Sequence, residues 1–233
     1  MDFYKEAADD FSRTRTTIWP GVLNFLKSIQ PNLTILDAGC GNGKNMMKTS
    51  HNFIGLDMCE ELLKIVRTKA TKQNKTNILD LILGSVTNLP FENQHFDGVI
   101  SIAVVHHIKS FSDRIKAFEE LIRVCKKGAQ VLITVWQMEN HPTYLDGSDE
   151  VDGLDEVDGL DKMDEKSPYL GDKLIRWKHQ DIKRGLTIGE MYRFYHFYSE
   201  DEVKYMISYC ENKFNIKGSY YEEKLNYYII FDC

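Results

Sequence analysis

Apolar residues fall in short runs through the first 140 positions, and the runs alternate between two periods. "LTILDAG" (33–39), "FIGLDMC" (53–59), "NILDLILGS" (77–85), "FDGVISIAVV" (96–105) and "AQVLITVWQ" (129–137) are near-continuous apolar stretches of strand length. Between them the spacing becomes helical. "WPGVLNFLKSI" (19–29) has Pro20 at a first helical position and Val22, Leu23, Phe25, Leu26 and Ile29 on one stripe. "KNMMKTS" (44–50) predicts a helical turn and "EELLKIVRTKATKQN" (60–74) a helix. "RIKAFEELIRVCK" (114–126) predicts another, with Ile115, Phe118, Leu121, Ile122 and Cys125 on one side. Continuous apolar strands separated by amphipathic helices imply a mostly parallel sheet covered on both faces. Towards the end, Ser199 followed by Glu202 caps a helix over "SEDEVKYMISYC", and "FNIKGSYYEE" with "KLNYYIIFDC" predicts an antiparallel hairpin closing the sheet.

Between the first strand and the next turn stands "LDAGCGNGK" (36–44), with Gly39, Gly41 and Gly43 within five positions. Glycine this dense marks backbone that needs positive φ or a close approach. The spacing is not that of a phosphate loop: Lys44 is followed by Asn45, where a hydroxyl for magnesium would be required. It is not G-x-G-x-x-G either, and the carboxylate of Asp37 would repel a pyrophosphate while suiting an ammonium group. Asp57 ends the second strand, where an acid can accept both hydroxyls of a ribose. A cationic amine, a nucleoside body on glycine and a ribose on an acid together describe S-adenosylmethionine.

These residues resemble class I methyltransferases, in a first motif like "LDAGCGNGK" and a fourth like "FDGVISIAVVHH". The resemblance implies an α/β, Rossmann-like fold: a seven-stranded, mostly parallel sheet with a C-terminal antiparallel hairpin and helices on both faces. It implies a cofactor site built from Asp37, Gly39, Cys40, Gly41, Asn42, Gly43, Asp57, Met58, Ser85, Val86 and Ile102. Ser85 stands where many relatives place an aspartate near the adenine. "FSRTRTTIWPGV", the histidine pair with "ITVWQMEN", and "MYRFYHFYSEDEV" are together similar to the eukaryotic tRNA methyltransferases that esterify 5-carboxymethyluridine at wobble position 34, in the anticodon loop. That likeness implies that Arg15, His106 or His107, Trp136, Arg193, Tyr195 and His196 surround the acceptor. Trp136, Tyr195 or a histidine would then stack on or hydrogen-bond an extruded uracil. It also implies a small zinc-binding activator subunit, which would add a strand to the third strand at about residues 77–84, an apolar sheet edge without proline or lysine. On that reading the chain alone would be poorly soluble or inactive. Two other readings stay open: a methyltransferase acting on a small quinone- or sterol-like molecule, and a non-catalytic scaffold of the same fold that binds RNA or protein.

Composition refines this picture. The chain of 233 residues has room for one sizeable core, read as a single domain with an insertion at about 143–170. Formal net charge is −6, yet residues 146–165 hold ten acids and one base, leaving +3 on the rest. This stretch contains the tandem "EVDGLDEVDGLD" (150–161); it lacks the fixed ligand ladder of a calcium loop and reads as a solvated, poorly ordered loop. "KLIRWKHQDIKRG" (173–185), with Trp177 among its bases, is a candidate track for phosphates and stacking. Five cysteines without a C-x-x-C pair predict reduced thiols, with neither a disulfide framework nor an internal zinc site. No apolar run approaches the ~20 residues that cross a bilayer. The first residues lack the order of a secretory signal, so cytoplasm or nucleus is expected.

Overall fold

A computed structural model describes residues 2–142, 171–181 and 186–233 of the chain. The acidic repeat, and with it the expected insertion, lies outside the described residues. Five strands, β1 (Thr34–Ala38), β2 (Asn52–Asp57), β3 (Ile78–Leu83), β4 (Gly98–Ile102) and β5 (Gln130–Trp136), run parallel. With β8 (Lys217–Glu223) and β9 (Asn226–Asp232) they form a seven-stranded sheet in the order β3-β2-β1-β4-β5-β9-β8, in which β9 is antiparallel to both neighbours. This is the predicted architecture. The chain works outward from β1 to β3, then returns to place β4 beside β1, so a switch point opens between the carboxyl ends of β1 and β4.

Strand alternation divides the core in two. Leu36, Val99, Val131 and Ile133 face one side, packed with Phe118, Leu121 and Met206; Ile35, Ile100 and Leu132 face the other, packed with Val22, Leu26 and Val66. The covering helices are α2 (Pro20–Ser28), α3 (Glu60–Lys72), α4 (Phe111–Arg123) and α5 (Glu200–Phe214). The α4 helix starts three residues earlier than the segment predicted over 114–126 because Ser110 Oγ accepts from the Asp113 amide at 3.4 Å. All five cysteines are free thiols, four of them buried and Cys233 half-buried. Among the described residues no helix is long and apolar enough to cross a membrane.

Two features stand outside the pattern read from the sequence. One is α1 (Asp2–Thr14), an N-terminal helix lying against α3. The other is an antiparallel ribbon of β6 (Asp172–Asp181) and β7 (Leu186–His196), separate from the main sheet. The ribbon is anchored through buried charge. His196 Nδ1 lies 2.5 Å from Asp172 Oδ1, and its Nε2 lies 2.7 Å from Glu202 Oε2 on α5. Arg114, wholly buried on α4, stands 3.8 Å from the same Asp172 oxygen. Ser199 caps α5 as expected, accepting from the Glu202 amide at 3.2 Å. The Glu202 carboxylate does not return to the cap; it is committed to His196.

Candidate active site

The glycine bend after β1 is fixed from beneath. The Gly39 and Cys40 amides donate to Leu56 O at 2.7 and 2.9 Å, and the Gly41 amide donates to Asp57 Oδ2 at 2.8 Å. Asp57 Oδ1 accepts from the Cys59 amide at 2.9 Å, so this one carboxylate clamps the bend to the start of α3. Gly39 has φ +80°, and a β-carbon there would lie 2.3 Å from Val104 Cγ2. Val104 reaches that position because Ala103, at φ +59°, turns the chain sharply after β4, its amide donating to Thr134 Oγ1 at 2.9 Å. Asn42 then ties the bend to the end of α1: its Nδ2 donates to Ser12 O at 3.0 Å and to Arg15 O at 2.9 Å.

These constraints frame a cavity of about 470 Å³ at the carboxyl ends of the parallel strands. Gly39, Cys40, Gly41, Asn42, Asp57, Met58, Ser85, Val86 and Ile102 line it, and so do Arg15, His106, His107, Trp136, Arg193 and Tyr195. Three expected residues stand outside its wall. His196 is committed to the anchor behind β7. Gly43, at φ +73°, packs against Val66 of α3, where a β-carbon would lie 2.9 Å from Cγ1. Asp37 is wholly buried at the end of β1. Its Oδ2 accepts from Asn45 Nδ2 at 3.4 Å, while Oδ1 has no hydrogen-bond partner among the described residues. Burial pushes the Asp37 carboxyl up to about 7, against the opposing pull of Asn45 and Lys44.

The wall also holds residues that sequence reasoning passed over: Phe11, Trp19, Lys44 and Thr87 among them. Lys44 sits 5.0 Å above the Trp19 ring, and the Arg15 guanidinium 4.7 Å above Phe11. The available signal was the apolar residue at the end of α1, whose partner on α3 is distant in sequence. Under β7, Trp136 stacks on Tyr195 with ring centres 4.3 Å apart and planes 12° apart, and on His141 at 4.5 Å. Arg193 lies 5.2 Å over the Tyr195 ring and donates to its hydroxyl at 3.3 Å. Burial lowers the Arg193 pKa, and Tyr195 opposes that effect.

Residues 36–133 match the Methyltransferase domain family. Over these residues, from β1 into β5, the chain is similar to a methyltransferase domain. It is 43% identical over 143 residues to the tRNA (carboxymethyluridine(34)-5-O)-methyltransferase of Arabidopsis thaliana, covering 61% of this chain and 33% of that one. It is 36% identical over 138 residues to the tRNA (carboxymethyluridine(34)-5-O)-methyltransferase of Schizosaccharomyces pombe, covering 58% and 56%. The matches thus span about a third to just over half of these curated relatives. The PH0226 protein of Pyrococcus horikoshii has the same fold, with a TM-score of 0.66 over 99% of this chain and 98% of that one at 15% identity.

The donor set of this site fits S-adenosylmethionine. Asp57 accepts backbone bonds on both oxygens, and its remaining lone pairs would accept ribose hydroxyls. The open backbone of Gly39 and Gly41 lies along the cavity, and the unpartnered Asp37 oxygen behind the bend would supply negative charge for the amino group. In that role Asp37 would also set a pH dependence. A cation bound at the bend stabilises the ionised carboxyl, so binding releases a proton, and cofactor affinity is expected to rise as pH increases through about 7. Isothermal calorimetry between pH 6 and 8, in buffers of different ionisation enthalpy, checks both the slope and the proton release. An Asp37→Asn chain should show neither.

Proposed function

We propose that this chain transfers a methyl group to the carboxylate of 5-carboxymethyluridine at position 34 of tRNA, forming the methyl ester. The observation that carries this reading is the convergence of two guanidinium groups, Arg15 and Arg193, on the cavity that also holds the glycine bend and Asp57. The similarity to the tRNA (carboxymethyluridine(34)-5-O)-methyltransferases of Arabidopsis and Schizosaccharomyces supports it.

When bound, S-adenosylmethionine supplies the electrophilic methyl group. The chain's own task is then positioning. A carboxylate acceptor is ionised at neutral pH, so no strong base is required; one oxygen must be oriented and water kept out. Arginine orients carboxylates by paired hydrogen bonds. Arg15 follows α1 and Arg193 lies on β7, so two separate elements hold the acceptor and neither fork need cover both oxygens. A partly desolvated guanidinium such as Arg193 gains from an anion in the same cavity. The ribbon carries part of the basic segment 173–185, which would track the RNA backbone. The side chain of Trp177 lies outside the described residues, as do residues 182–185.

The partner follows from the sheet edge. The outermost strand β3 leaves Leu79 at 54% and Leu83 at 57% exposure, on a sheet edge with no neighbouring strand among the described residues. The small zinc-binding activator would add its strand here. Leu79→Lys is expected to abolish co-purification with the activator while leaving the thermal unfolding of the chain alone nearly unchanged; a retained complex would remove this face as the docking site.

Nucleoside mass spectrometry tests the reaction itself. Carboxymethyluridine-containing tRNA, incubated with the chain, the activator and cofactor, should yield the methyl ester. If that nucleoside stays unesterified while a small-molecule acceptor is consumed, the substrate is wrong.

A further inference from the structure

The two histidines after β4 occupy a hydrogen-bond chain with one solution. The Trp136 amide, which can only donate, lies 3.2 Å from His106 Nδ1, so that nitrogen carries no proton. The Phe194 carbonyl, which can only accept, lies 3.1 Å from His107 Nδ1, so that nitrogen is protonated. The two remaining nitrogens, His106 Nε2 and His107 Nε2, face each other at 3.1 Å. With both rings neutral, the proton on His106 Nε2 points at the lone pair of His107 Nε2. A second proton on His107 would set two N–H groups head to head; one on His106 would face the Trp136 amide. Burial acts in the same direction. It drives the His106 pKa well below the ordinary range, aided by repulsion from His107, His196 and His141, and it brings His107 down to about 3 against the pull of the Phe194 carbonyl.

We propose that His106 and His107 are positioning residues, a neutral chain tying β5, the turn after β4 and β7 in one register and so holding Arg193 and Tyr195 in the cavity. No ring nitrogen is left for the acceptor. What His107 presents to the cavity is ring carbon, and neither histidine serves as a general base. The anchor on the other side of Tyr195 completes the arrangement: the chain grips the carbonyl of residue 194, and Asp172 with Glu202 grips the side chain of residue 196. Trp136 belongs to the same scaffold, since Tyr195 and His141 already stack on it. The expectation that a histidine or Trp136 meets the uracil is thereby replaced. Only the kinetic part of this inference rests on the reaction proposed above.

The first experiment uses the full chain labelled with 15N-histidine. Long-range proton–nitrogen correlation should find His106 as the Nε2–H tautomer and His107 as the Nδ1–H tautomer at pH 7, unchanged when cofactor and tRNA are added. An imidazolium at either site, or a ring nitrogen that shifts on addition of tRNA, overturns the inference. The second experiment compares two variants. His107→Ala should raise the acceptor KM about tenfold with cofactor affinity unchanged, the size of one lost buried hydrogen bond. His107→Asn, whose amide can donate where Nδ1 does, should recover most of that loss. Equal inactivity of both, expressed in kcat, would mean that the ring itself does chemistry. If the tautomers are as stated but the wild-type chain esterifies no carboxymethyluridine, the reaction proposal fails and the positioning chain stands.

Discussion

Arg15→Ala is expected to lower kcat/KM for methyl transfer by about 100-fold or more, the scale set by a misoriented acceptor, while cofactor affinity stays within about twofold. The separation of the two effects comes from the local geometry. The Arg15 carbonyl, not its side chain, accepts from Asn42 and ties α1 to the bend. The side chain donates to Thr14 Oγ1 at 2.8 Å and lies over Phe11, and it extends into the cavity. Truncation therefore removes a cation from the wall and leaves the cofactor's support in place. Arg15→Lys should restore only part of the rate, because a point charge does not reproduce a planar fork. Single-turnover rates together with calorimetric titration of the cofactor measure the two quantities separately. A parallel fall in both would identify Arg15 as a fold residue and withdraw the carboxylate-orienting role.

Gly39→Ala should have the opposite signature, with cofactor binding lost and the fold weakened. At φ +80° an alanine carries a left-handed penalty of about 1–2 kcal/mol. Its β-carbon would also meet Val104 Cγ2 at 2.3 Å, and relieving such overpacking costs about 1–3 kcal/mol more. The expected loss in unfolding free energy is therefore about 2–5 kcal/mol, measurable by urea denaturation. Because the clash is with one side chain, Val104→Ala in the Gly39→Ala background should recover the steric part and leave the backbone part. Independent, additive effects of the two substitutions would show that the contact does not set the bend.

The elements legible in the sequence were those whose pattern is local. Runs such as "LTILDAG" and "AQVLITVWQ" announce strands buried on both faces, and Ile35 and Leu36 do pack into opposite cores. Gly39 and Asp57 were readable because positive φ demands glycine and a strand-end acid suits a ribose. The α1 helix was missed because its stabilising partners on α3 are about 50 residues away in sequence. The β6–β7 ribbon was missed because residues 191–198 mix aromatic and charged side chains, a composition compatible with a helix start as well as a strand.

The chemistry of the histidines shows the same boundary more sharply. The family resemblance implied His106 or His107, and His196, near the acceptor, and a histidine in such a segment can contact substrate, donate to a carbonyl or bridge two acids. The choice depends on which atoms lie within about 3 Å of each ring nitrogen. For these three rings the atoms belong to Trp136, Phe194, Asp172 and Glu202, brought in from four different elements. The sequence by itself therefore determined the doubly covered sheet, the glycine bend and the strand-end acid Asp57, since each follows from short-range steric and hydrophobic rules. Only the tertiary structure decided which polar groups face the cavity and which are used up behind it, because hydrogen-bond capacity is consumed by neighbours that chain order does not reveal.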